Sequence, residues 1–173
     1  MTSSLKTLET VFVCAGSNMG DKVANCREGL SALVRWEDTR MEAVSPFYRT
    51  APVDFTDQDW FVNAVARVVT TCPPPDLLKR LKAIEAEAGR TAGGVRFGPR
   101  VLDLDIILFG DRRIDLPDLV VPHPRMHKRH FVLKPICDID PAIVHPVLEQ
   151  PVGALLDALD VTGQEVTVLP CES

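Results

Sequence analysis

No run in this chain approaches the roughly 18 apolar residues that a membrane helix needs, and Met1-Thr2-Ser3-Ser4-Leu5-Lys6 lacks the apolar centre of a secretory signal. A basic excess is missing too. The net charge is -5, where a nucleic-acid-binding domain usually carries a surplus of Lys and Arg. Cysteine is present but unorganised: Cys14, Cys26, Cys72, Cys137 and Cys171 are odd in number, widely spaced and without a C-x-x-C pair. That argues against a disulfide framework or a thiolate zinc site, and leaves them as small apolar fillers with Cys171 exposed in the tail. No internal repeat, linker or low-complexity segment interrupts the chain. With 46% hydrophobic and 25% charged residues over 173 positions, there is enough material for one core. The expectation is a single cytoplasmic domain over 1–173 with loose ends at 1–8 and 161–173, monomeric, with no nucleic-acid or membrane partner.

What is present concentrates at Arg96-Phe97-Gly98-Pro99-Arg100-Val101-Leu102-Asp103-Leu104-Asp105-Ile106-Ile107-Leu108-Phe109-Gly110. Gly98-Pro99 ends any preceding helix, and the branched apolar run closed by Gly110 reads as a buried strand. Alternation sends Leu102, Leu104, Ile106 and Leu108 to one face, and Asp103, Asp105, Ile107 and Phe109 to the other. The two carboxylates then share a side, with Cα atoms about 7 Å apart. At an effective dielectric of about 20 they repel by roughly 2 kcal/mol. A divalent cation removes that cost. Hard oxygen ligands on a stiff strand suit Mg²⁺, which takes one or two carboxylates and fills its other positions with water and phosphate oxygens. The alternative is an edge strand with two solvated aspartates. Arg96 and Arg100, on a glycine-rich loop, favour the first reading because guanidinium groups there can reach phosphate.

Along the chain, Thr10–Ala15 reads as a buried strand, and Gly16-Ser17-Asn18-Met19-Gly20-Asp21 as a turn that Asp21 or Ser17 could cap into a helix over about 21–36. That turn has neither the G-K-[ST] ending nor the G-x-G-x-x-G spacing of a phosphate loop. A second strand over 41–47 is interrupted by Pro46. Residues 48–59 form a polar connection too long for a hairpin, of the length that usually carries function. Strand character returns over 60–70, and helical spacing runs from about Asp76 to Ala88 with Gly89 just past the end. Near Pro124, His123, His127 and His130 could share the face of a short helix, but no acidic or thiol partner accompanies them, and three nearby cations suggest an anion. Phe131–Ile136 is apolar, and 152–159 reads as a last helix. This order predicts an α+β sandwich, an antiparallel sheet with helices on one face, the ferredoxin-like arrangement.

The ordered set Gly16-Ser17-Asn18, Phe47-Tyr48-Arg49-Thr50, Phe61-Val62-Asn63, Gly98-Pro99-Arg100 with Leu102-Asp103-Leu104-Asp105-Ile106, and Pro122-His123 followed by Arg129 resembles the 6-hydroxymethyl-7,8-dihydropterin pyrophosphokinase family of the folate pathway. The likeness spans Val11 to about Leu159. It implies transfer of the β,γ-diphosphate of ATP to the hydroxymethyl oxygen of the pterin, with release of AMP. It also implies two Mg²⁺ ions on Asp103 and Asp105, and catalytic roles for Arg96, Arg100, Asp103 and Asp105. Glu85, Arg90, Arg100, Ile106, His123 and Arg129 match nucleotide-side positions, although Glu85 by itself reads as a solvated helix face.

For the pterin, the resemblance implies Phe61 and Phe131 as a stacking pair, Asn63 as the hydrogen-bonding amide, and Thr50 and Val53 on a contacting loop. By composition alone the two phenylalanines read as core. Asn63 is different, because an amide in an apolar strand needs a partner. Ala92, Phe97, Ala51 and Pro124 depart from the commoner residues and bear on loop closure and nucleotide affinity. No residue is an obvious general base: Asp103, a metal-bound water or neither could take the hydroxyl proton. Two rival classes remain open. A two-metal nucleotidyltransferase would release pyrophosphate, and a non-catalytic ligand-binding module would tolerate loss of both aspartates.

Overall fold

The computed structural model describes residues 5–89 and 98–171. Strand β1, Glu9–Ser17, is buried along most of its length and lies inside the sheet. Asp21 caps the following helix α1, Lys22–Ala32, by accepting from the Ala24 amide at 3.1 Å. The helical stretch expected to reach 36 tightens after Ala32 into a 3-10 turn, Leu33–Arg35. The strand expected over 41–47 ends before Pro46 as β2, Thr39–Val44, and the connection expected from 48 opens instead with a short strand, β3, Tyr48–Thr50. Both pair with the same edge of β4, Phe61–Thr70, at opposite ends. Helix α2, Pro74–Glu87, starts two residues earlier than expected because Pro74 occupies its first turn, where a missing N–H costs nothing. It stops at Gly89, whose φ of 98° suits only glycine.

Strand β5, Asp103–Phe109, pairs antiparallel with β1 and forms one end of the order β5-β1-β4-β3. The strict alternation expected for β5 fails at one point. The register against β1 shifts between Phe12 and Val13, whose partners are Leu108 and Ile106, so Ile107 is an extra, bulged residue. Beyond it the faces exchange: Leu108 packs with Phe12 and Met126, while Phe109 joins Leu102, Leu104 and Ile106. Asp103 and Asp105 lie before the bulge and keep the shared side expected of them.

A hairpin of β6, Ile114–Leu116, and β7, Leu119–Val121, follows β5. A 3-10 turn, Met126–Lys128, leads into α3, His130–Ile139, and then α4, Val152–Ala158. The expected antiparallel α+β sandwich is present, with a further layer. Helices α1 and α2, with the 3-10 turn after α1, cover one face through Leu30, Leu33, Leu77, Leu81 and Ile84. Helices α3 and α4 cover part of the other through Val132, Leu133, Ile136, Val152 and Leu155. The tail expected to be loose from 161 supplies β8, Val166–Val168, antiparallel to β3. It is also pinned at Gln164, whose side-chain oxygen accepts from the His130 amide at 3.0 Å. Among the described residues no helix is long and apolar enough to cross a membrane.

Candidate active site

Register places the chemistry-bearing residues side by side. Asp103 of β5 is the cross-strand partner of Gly16 of β1, and Gly16 is in turn the partner of Asn63 of β4. The next row on the same side begins Asp105, Cys14, Val65. With neighbouring strands about 4.8 Å apart, the acid and the amide are roughly 10 Å apart across a position that has no side chain. A Cβ on Gly16 would stand 2.7 Å from Asn63 Oδ1, so the amide lies directly against the glycine. Asn63 Nδ2 donates to Thr50 Oγ1 at 2.6 Å, and both residues are buried.

Above this row opens a cleft of about 350 Å³. Thr50, Val53, Phe61, Asn63 and Phe131, the five positions expected on the pterin side, all line it. So do Arg100, Asp103, Asp105, His123 and Arg129, the positions expected to meet phosphate or metal. Phe61 and Phe131 are only partly buried and face the cleft, which separates them from the plain core that composition suggests.

Arg100 Nη1 donates to Asp103 Oδ1 at 3.0 Å. Asp105, half-buried like Asp103, has its carboxyl pushed up to about 7, first by burial and then by the charge on Asp103, with Arg129 opposing. Its cross-strand partner Cys14 is held well above the ordinary thiol range by burial and by Asp105, so the thiol stays protonated. Two carboxylates that resist being charged together form a donor set that a hard dication would relieve. Among the described residues no group of three or more His, Cys, Asp or Glu side chains converges as a metal cage. Two carboxylates on one side of a strand fit Mg²⁺, which takes its remaining oxygens from water and phosphate.

His123 is pushed down to about 4 by burial, Arg129 and Arg125, and is therefore neutral. Its Nδ1 accepts from the Arg125 amide at 3.2 Å, which leaves the proton on Nε2 as a donor. The three histidines do not converge. His127 stacks edge-on against His145 at 6.1 Å, and the His130 ring bonds the Gln164 carbonyl at 2.8 Å.

Two positions expected on the nucleotide side do not line the cleft. Glu85 corrects the solvated-face reading: it is 2% exposed, and Oε1 accepts from the Leu104 amide at 2.8 Å, between the two aspartates. Ile106 packs in the core beneath α1 and α2. Arg90 and Arg96, with Ala92 and Phe97, lie outside the described residues.

The structure adds residues that sequence reasoning did not assign. Buried Asn18 accepts from the Arg100 amide at 2.8 Å through Oδ1, and its Nδ2 donates to Gln58 Oε1 at 2.9 Å and to the Asp59 carbonyl at 3.2 Å. It thereby ties together the loops on two sides of the cleft. Asp54 and Arg125 also line the cleft. The only sequence signal for Arg125 was its place among the cations after His123.

Residues 12–141 match the family model for 7,8-dihydro-6-hydroxymethylpterin-pyrophosphokinase (HPPK). A 2-amino-4-hydroxy-6-hydroxymethyldihydropteridine pyrophosphokinase of Pseudomonas aeruginosa is 45% identical over 139 residues, covering 80% of this chain and 85% of that protein. The Bacillus subtilis protein of the same name is 41% identical over 128 residues, 74% of this chain and 76% of its own. A folate synthesis bifunctional protein of Arabidopsis thaliana is 43% identical over 133 residues, but the chain spans only 27% of it. Among solved structures, Plasmodium falciparum HPPK-DHPS with pteroate superposes with a TM-score of 0.70 at 15% identity, over 87% of this chain and 42% of that one, which supports the fold. The chain belongs to the 7,8-dihydro-6-hydroxymethylpterin-pyrophosphokinase family.

Proposed function

We propose that this protein transfers the β,γ-diphosphate of ATP to the hydroxymethyl oxygen of 6-hydroxymethyl-7,8-dihydropterin, giving AMP and the pterin diphosphate for folate synthesis. The observation that carries this reading is the cross-strand row Asp103, Gly16, Asn63, which sets a carboxylate pair and an amide on either side of an open position in one cleft. In this reading the pterin lies between Phe61 and Phe131, with the Asn63 amide against its edge. Thr50 fixes that amide by accepting one of its protons. Because the site excludes side-chain volume at Gly16, the hydroxymethyl arm can extend towards Asp103.

Two Mg²⁺ ions held by Asp103 and Asp105 would supply Lewis-acid neutralisation of the triphosphate oxygens. The chain's own groups do the rest. Glu85 restrains β5 through the Leu104 amide and so fixes the separation of the two carboxylates. Arg100, Arg129 and neutral His123 present donors where negative charge accumulates on the transferred group. Arg90 and Arg96 are assigned to the same task, and Ile106 to the nucleotide side, on the resemblance. The protein is read as one pyrophosphokinase domain working as a cytoplasmic monomer on two small molecules, without nucleic acid or membrane.

The test is the product. Incubation with ATP, Mg²⁺ and hydroxymethyldihydropterin, followed by ³¹P NMR, should give AMP and a pterin diphosphate in equal amounts. Release of pyrophosphate with an adenylylated product, or of ADP, would overturn the proposal.

A further inference from the structure

Three charged groups meet at the rim of the cleft. Asp54 Oδ2 accepts from Arg129 Nη2 at 3.1 Å and lies 3.6 Å from Arg125 Nη1. The acid comes from the loop between β3 and β4, and both cations from the segment leading into α3. Arg129 keeps only 12% of its side chain exposed, whereas Arg125 and Asp54 keep 41% and 36%. Both guanidinium groups turn on the same carboxylate oxygen, so the point between them is built to hold one anionic oxygen, as a phosphate would supply. The arrangement sits beside His123, whose Nδ1 accepts from the Arg125 backbone, and opens on the same cleft as Asp103 and Asp105. An anion reaching the aspartate pair through this rim meets Asp54 already seated on the cations.

We propose that Arg125 is a further polyphosphate-contacting residue of this cleft and that Asp54 is its internal competitor, holding Arg125 and Arg129 until phosphate oxygens displace it. The inference rests on the triphosphate reading above and deepens it. Displacement frees the loop that carries Val53 and joins Thr50 to Phe61, so occupation of the cationic rim alters the pterin side. Linkage then requires the reverse effect of equal size on binding.

The experiment titrates the full chain by calorimetry with inorganic tripolyphosphate and with α,β-methylene-ATP plus Mg²⁺. Wild type is compared with Asp54→Asn, Arg125→Gln and the double variant. Asp54→Asn should tighten both ligands by about five- to tenfold, Arg125→Gln should weaken both by a similar factor, and the gain from Asp54→Asn should shrink when Arg125 is already replaced. Unchanged or weaker binding in Asp54→Asn, or unchanged binding in Arg125→Gln, overturns the inference. Turnover of ATP and pterin to AMP in the same preparations separates the two claims. AMP formation with an indifferent Asp54→Asn sinks this inference alone. Tightened tripolyphosphate binding without AMP formation supports the anion site and sinks the functional reading.

Discussion

Replacing Gly16 with alanine is a sharp perturbation of the pterin side because only one contact is at stake. The new methyl would stand 2.7 Å from Asn63 Oδ1, where ordinary contact begins at 3.4 Å, while Asn63 Cγ at 3.7 Å and Phe61 Cδ1 at 3.9 Å are already comfortable. The amide must therefore retreat by about 0.7 Å, the difference between those two values. The other end of the same amide, Nδ2, is held by its 2.6 Å bond to Thr50, which a shift of the group puts at stake. Overpacking of this kind costs about 1–3 kcal/mol, and a lost buried hydrogen bond about 1 kcal/mol more. A group displaced by most of an ångström can lower kcat/KM by up to about a hundredfold. Thermal melts and steady-state kinetics with varied pterin read both effects. The loss should fall on pterin KM and kcat, with the Kd of a nucleotide analogue unchanged. In an Asn63→Ala background the same Gly16→Ala change should cost far less, since the clashing oxygen is gone. Equal penalties in both backgrounds, or an unaltered Tm and pterin KM for Gly16→Ala alone, would refute the argument.

Glu85→Ala should destabilise the protein by about 1–3 kcal/mol by leaving the Leu104 amide unpartnered, and should weaken Mg²⁺ binding measured by calorimetry with a nucleotide analogue. In the metal-free protein at pH 8, Asp105→Asn should raise Tm, because it removes a desolvated charge that faces Asp103; a lowered Tm would contradict that view of the pair. Asp38 is held below the usual carboxylate range by the Arg80 guanidinium, which donates to both its oxygens at 2.6 and 2.9 Å and stacks on Trp36 at 4.7 Å. Since its folded value is depressed, the stabilisation is complete above the unfolded value of about 3.9 and is lost as pH falls through the folded one. Asp38→Asn should cost about 1–2 kcal/mol near neutrality, allowing for partial exposure, and urea melts should show that gap closing below about pH 4.

The site's main line was legible because it is local. Asp103 and Asp105 are two residues apart in one strand, so alternation alone puts them on one side. What depends on a neighbouring strand was not legible: the Ile107 bulge exists only against β1, and it exchanges Leu108 and Phe109 between faces. Glu85 looked solvated because a charged residue near a helix end usually is. Its partner is an outward-facing amide of an end strand, known only once α2 lies against β5. The Asp54 contacts join residues 71 and 75 positions apart, and no spacing rule reaches that far. Strand β8 was missed because three residues are too few for alternation to register. Of the second helical layer, α4 was legible as the helix expected over 152–159, whereas α3 was missed because Phe131–Ile136 contains Pro135, which reads against a helix although α3 accommodates it.

The most direct measurement is the rate of AMP formation by Asp105→Ala at saturating ATP, pterin and Mg²⁺, on protein whose melting curve shows it folded. If the aspartate pair holds the cation that activates the triphosphate, the rate should fall by at least about a thousandfold. Turnover within a few-fold of the unaltered protein would contradict the account.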